Sequence, residues 1–279
     1  MKEVIDIFPP LLTFAIRFTI SGVILLAIFF FYEARHNREH IGWKQWKDAV
    51  ILGAAIILGG QGLLVWGTQY LSSGVTALLN STIPLWVAIL ATLAFKQRLT
   101  KGIAFGLALG FMGLIILINP FEVNATLNLT GILSLTLSSI FWAVGSLYST
   151  RANMPVSILA SGGMLMFVGG LMLFFTSYVV GDFNALGSIR ISSHSLFAFL
   201  YLIFLCTVVG YAEFLWLLRV ESANIANSFA YIVPVVAVVI GWIILKEAVT
   251  VQTIASTCVI LVGVALMING SSSGKTSTR

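Results

Sequence analysis

The chain has 279 residues, 59% of them hydrophobic and 9% charged, with a mean hydropathy of +1.03. A soluble domain carries about 25% charged residues, so a soluble enzyme or binding module is excluded and most of the chain must be solvated by lipid. The net charge of +5 comes from scattered Lys and Arg at the ends of apolar runs, which excludes the clustered basic stripe that a nucleic-acid partner requires.

Nine apolar stretches have the roughly 20 residues a helix needs to cross a bilayer. They fall near 10–32, 48–69, 75–95, 101–119, 129–150, 156–180, 194–217, 222–245 and 251–268. None shows the alternating polarity of a barrel strand. The expectation is an all-α polytopic membrane protein with short connections and a polar, disordered tail over 269–279. The first run carries Arg17 near its outer end, where the guanidinium either attracts an anionic group or snorkels to headgroups as an anchor. In the second lie Gln61 and Trp66, and in the third Asn80, Ser81 and Thr82 precede Pro84. A proline inside a span removes a ladder bond and opens the helix locally, which is tolerated where protein or cavity water satisfies the freed carbonyl. The fourth run repeats Gly102, Gly106 and Gly110 at every fourth position, the pattern of a close helix contact. Along the fifth, Ser134, Ser138, Trp142, Gly145 and Ser149 share one face. The seventh holds Glu213, an acid costly to place inside a membrane. In the eighth Asn227, Ser228 and Tyr231 precede Pro234. Cys206 and Cys258 sit in apolar runs without metal or redox spacing and are expected to be small packing residues.

Eleven Lys and Arg fall in one set of alternate loops, against Lys2, Arg190 and Lys246 in the other. Positive charge marks the cytoplasmic side, so the carboxyl terminus is expected in the cytoplasm, with the chain in the inner membrane. A shift of 150 residues superimposes Gly60 on Gly210, Trp66 on Trp216, Pro84 on Pro234, Lys96 on Lys246, Gly113 on Gly263 and Asn119 on Asn269. The second and seventh spans are five steps apart, an odd number, so the copies run upside down to each other. Inverted repeats are the architecture of secondary transporters, with the solute near the midplane.

The turn Phe8-Pro9-Pro10-Leu11 with Arg17-Phe18, the segment Tyr70-Leu71-Ser72-Ser73-Gly74-Val75 leading to Pro84, and Pro234 followed by Leu245-Lys246-Glu247-Ala248-Val249-Thr250 and Gly263 resemble the EamA-type branch of the drug/metabolite transporter superfamily. The resemblance implies ten helices as two inverted five-helix copies, and efflux or exchange of amino acids, related metabolites or drugs. Gln97 departs from it, standing where the family usually has Glu, as Glu247 does in the second copy. So does the count of spans, four in the first copy and five in the second. The expected domains are therefore a first repeat at 1–119 lacking its first helix, a second repeat at 129–268 and a cytoplasmic tail at 269–279.

Gln61, Asn80, Trp142, Glu213, Asn227 and Tyr231 are the candidate solute-binding residues, because the repeat sets the two proline-bearing helices on opposite sides of one midplane space. Glu213 is the candidate proton carrier or counter-charge for a solute amine, its alternative being an interfacial pair with Arg219. The expected partners are a small organic solute, the bilayer, a coupled proton and a second copy of the chain, with no nucleic acid and no cofactor. No catalytic or metal set is expected. His36-Asn37-Arg38-Glu39-His40 fits a zinc-peptidase pattern but lies in a charged loop, with His194 on the other side. The competing reading is a non-transporting or truncated membrane subunit.

Overall fold

In lipid every backbone N–H and C=O must be satisfied within the chain, and a helix does this locally. In the computed structural model the apolar runs are helices. It describes residues 9–33, 41–71, 73–95, 100–118, 128–183, 197, 199–233, 235–236 and 251–275. In order these are α1 Pro10–Glu33, α2 Trp43–Gly67, α3 Ser73–Asn80, α4 Ile83–Phe95, α5 Lys101–Ile118, α6 Leu129–Ser149, α7 Ile158–Val180, α8 Phe199–Val220, α9 Ala223–Asn227 and α10 Val251–Lys275. Seven described stretches are long and apolar enough to cross a membrane, one of them α3 with α4 over 75–94, and Lys101–Leu117 is a shorter apolar helix. The eighth apolar run is only partly within the described residues, which leave out Pro234 and 237–250.

Local chemistry fixes the ends. α1 opens on Pro10, whose missing N–H is no loss in a first turn, and Thr13 Oγ1 donates to the Pro9 carbonyl at 3.1 Å. Asn128 caps α6, its Oδ1 accepting from Thr130 N at 2.9 Å. Ser157 caps α7 by accepting from Ala160 N, and α7 stops at Gly181, whose φ of 90° suits glycine. One expectation is corrected here. The tail does not become irregular at Asn269, since α10 continues through the serine-rich stretch to Lys275. A helix already nucleated extends at small cost per residue even where side chains are polar.

Among the described residues three windings depart from the α-helix: Phe29–Glu33 at the end of α1, Gly53–Gly62 in α2 and Leu202–Val209 in α8 are π-helical. Shifted by 150, Gly53–Gly62 becomes 203–212, so the stretches in α2 and α8 are nearly equivalent.

The chain divides into two compact units, each made of two separate stretches. The first comprises 1–66 and 148–220, hence α1, nearly all of α2, α7 and α8. Within it α1 and α7 run antiparallel: a methyl group added at Gly22 would lie 2.4 Å from Phe167 N, one at Gly163 2.8 Å from Leu26 Cγ, and one at Gly170 2.5 Å from Thr19 Oγ1.

The second unit comprises 67–147 and 221–279. Here α5 and α10 are antiparallel and meet backbone to backbone. A methyl group at Gly113 would lie 3.0 Å from Ile260 N and 3.1 Å from Ser256 O; one at Gly263 would lie 2.6 Å from Gly110 N and 2.8 Å from Gly106 O. Gly113 and Gly263, Gly106 and Ser256, and Gly110 and Ile260 are each 150 positions apart. The contact is thus reciprocal under the sequence shift and compatible with an inverted repeat. Leu107, Leu114, Tyr231, Ile260, Val264 and Met267 pack around it.

Both cysteines are free and exposed, so neither is the packing residue its apolar surroundings suggest. An apolar span buries only one face, and both fall on the other.

Candidate solute site

The second unit holds four of the six candidate residues, and two of them touch. Trp142 on α6 donates its indole N–H to Asn227 Oδ1 of α9 at 2.9 Å. Ser146, one turn beyond Trp142, donates to the same oxygen at 3.4 Å, and Asn227 Nδ2 donates to the Ala223 carbonyl at 2.8 Å. Asn227 is fully buried and Trp142 is 7% exposed, with Phe229 edge-on to the indole. The small and polar face of α6 supplies these contacts: Gly131, Ser134, Ser138, Trp142 and Gly145 are buried while Leu133, Leu137, Phe141 and Val144 are exposed.

The helix carrying Pro84 breaks as its sequence implies. The proline has no N–H for the Asn80 carbonyl, α3 ends at Asn80 and α4 begins at Ile83. Ser81, in the gap, donates to the carbonyls of Ala77 at 2.7 Å and Ala230 at 3.2 Å. Ala230 is the residue 150 positions after Asn80. Asn80 itself is half-buried. Tyr231 is wholly buried against Gly110, where an added methyl group would lie 2.9 Å from its ring. Its hydroxyl, like Asn224 Oδ1, has no hydrogen-bond partner among the described residues. An indole, two amides and several hydroxyls arranged in this way can recognise neutral polar groups.

Gln61 and Glu213 belong to the first unit. Gln61 is half-buried within the π-helical stretch of α2, and Glu213 is exposed on α8. Arg219 is occupied by the turn before α7, donating to the carbonyls of Pro155 and Val156 and to Ser161 Oγ. Arg17 does not snorkel. It is 6% exposed, donates from Nε to Thr207 Oγ1, and lies 5.2 Å from the centres of both the Phe14 and Phe18 rings. Packing against α8 offers it a hydroxyl that headgroups would otherwise replace.

Sequence reasoning missed how firmly polar groups hold the connection between α6 and α7. Asp48 Oδ1 accepts from Tyr148 Oη at 2.8 Å, and its Oδ2 accepts from Asn153 N at 2.6 Å and Nδ2 at 3.3 Å. Glu33 accepts from Ser157 Oγ at 2.5 Å. The available signal was a lone acid opening an apolar run. A cavity of about 230 Å³ lies in this unit, lined by Leu52, Met154, Ser161, Leu165, Leu215 and Arg219 among others. His36, His40, His194 and the Lys246-Glu247 loop fall outside the described residues.

The EamA-like transporter family matches residues 1–119 and 129–269. The chain belongs to that family. Among its EamA relatives are the uncharacterized transporter YoaV of Bacillus subtilis, 26% identical over 95% of this chain and 89% of YoaV. The uncharacterized inner membrane transporter YedA of Escherichia coli K12 is 29% identical over 85% of this chain and 74% of YedA. A solved crystal structure 15% identical in sequence matches with a TM-score of 0.75, covering 95% of this chain and 89% of the other, and so shares its fold. This EamA protein is accordingly a multi-pass membrane transporter.

Proposed function

We propose that the protein exports small organic metabolites, amino acids or related compounds, by alternating access. The observation that carries this reading is the helix break at Ser81–Thr82, which meets the carbonyl of Ala230, the counterpart of Asn80 in the repeat. Broken helices at the repeat interface are where secondary transporters hold their solutes. Gln61, Asn80, Trp142, Glu213, Asn227 and Tyr231 are the residues proposed to bind the solute. The lysine and arginine count supports an inner-membrane orientation with the carboxyl terminus in the cytoplasm. Glu213 is the proposed proton carrier, an acid on an apolar span whose other charge, Arg219, is held by the turn before α7.

The test is uptake and counterflow of radiolabelled amino acids in proteoliposomes of the purified chain, with and without a pH gradient. Transport by the wild type, and loss of its pH-gradient dependence in Glu213→Gln, support the reading. A wild type that moves no solute supports the non-transporting subunit instead, and unchanged pH dependence in the variant removes Glu213 from the coupling.

A further inference from the structure

We infer that Arg17, with Ser21 one helical turn further along α1, binds the carboxylate of a small organic acid inside the first unit. This rests on the proposed transport of small metabolites and names their chemical class.

An arginine cannot shed its proton in a protein, so Arg17, 6% exposed, is a fixed cation in the interior. Among the described residues its neighbours are Thr207, the Phe14 and Phe18 rings, and Tyr211 and Cys206 of α8. Nε donates to Thr207 Oγ1, and that hydroxyl donates in turn to the Leu202 carbonyl at 2.8 Å. The Phe14 and Phe18 rings attract the cation through their faces but supply no counter-charge. Among the described residues the guanidinium meets no carboxylate. Arg219 in the same unit is the contrast, since two carbonyls and a hydroxyl take up its terminal nitrogens. With Nε engaged, Arg17 makes no other hydrogen bond among the described residues, and its two terminal nitrogens form the edge that grips a carboxylate with parallel hydrogen bonds.

Ser21 supplies the second observation. It is fully buried, four residues on from Arg17 and therefore on the same helix face, and its hydroxyl has no hydrogen-bond partner among the described residues. Thr13, the residue four before, is already bonded to the Pro9 carbonyl. One unneutralised cation and one idle hydroxyl about 6 Å apart along the axis suit a monoanion with a further polar atom. A doubly charged phosphate would keep an unmatched charge. Arg17 lies about 10 Å along α1 from Pro10, which favours a dissolved solute over a lipid headgroup.

The experiment measures thermal stabilisation and equilibrium binding of the purified full chain with L-phenylalanine, L-leucine and benzoate, and with the amide of each. The chain is embedded in nanodiscs of phosphatidylcholine or of phosphatidylglycerol. At least one acid should bind while its amide does not. Arg17→Gln should weaken that acid by about tenfold or more, Arg17→Lys by less, and Ser21→Ala by roughly threefold to tenfold. Equal binding of acid and amide, no binding by any acid, or stabilisation by phosphatidylglycerol alone overturns the inference. If Arg17→Gln does not fold, Ser21→Ala and the acid–amide comparison on the wild type decide it. Binding is read without transport, so a chain that moves amides as readily as acids fails here while the transporter reading stands.

Discussion

The indole N–H of Trp142 and the amide oxygen of Asn227, 85 residues apart, meet at 2.9 Å in the interior of the second unit. This bond ties the polar face of α6 to the short helix α9. Asn227→Ala removes the acceptor shared by Trp142 and Ser146, and should lower stability by about 1–2 kcal/mol. Trp142→Phe leaves Ser146 on the amide and should cost less. Unfolding of the two variants in mixed micelles, followed by circular dichroism, checks the order.

Gly263 faces backbone atoms. An alanine methyl there would fall 2.6 Å from Gly110 N and 2.8 Å from Gly106 O, atoms that no rotamer change can move. Gly263→Ala should therefore destabilise the second unit by roughly 1–3 kcal/mol. Gly210→Ala is the control, its nearest neighbour being Leu205 O at 4.0 Å, and its melting temperature should match that of the wild type.

Asp48 accepts three hydrogen bonds from the connection between α6 and α7. Asp48→Ala strands the backbone N–H of Asn153 and should cost about 1–3 kcal/mol, with Asp48→Asn recovering part of it. Limited proteolysis between Thr150 and Met154, faster in the alanine variant, is the readout.

Replacing the buried Pro84 restores a donor for the Asn80 carbonyl. Pro84→Ala should hold or raise thermal stability while slowing transport by about tenfold, a barrier increase of ~1.4 kcal/mol, because the break between α3 and α4 becomes continuous helix. Equal rates in proteoliposomes would show the break to be incidental.

What could be read from the residues follows the reach of the forces. Spans announce themselves because lipid solvation acts on 20 residues at once, and Pro84 and the small face of α6 because they change the helix locally. Gly106 and Gly110 were legible as a close contact, and Gly106 is its tightest point, but that Gly263 faces it across the contact emerges only once the partner helix is known. Arg17 turned inward since the hydroxyl that receives it, Thr207, is 190 residues away. The π-helical stretches of α2 and α8 share no compositional mark: each depends on one residue more than an α-turn holds, a choice made by the packing of neighbours.

Those stretches carry a mechanical consequence. Rewinding Gly53–Gly62 or Leu202–Val209 from π to α by a single residue turns everything beyond it by about 100° about the helix axis, with the backbone ladder intact on either side. Beyond the first stretch stands Trp66, and beyond the second stand Glu213 and Trp216. In both copies a screw of one residue would sweep an aromatic ring, and in the second an acid, from one neighbour to the next without either end of the helix leaving its place.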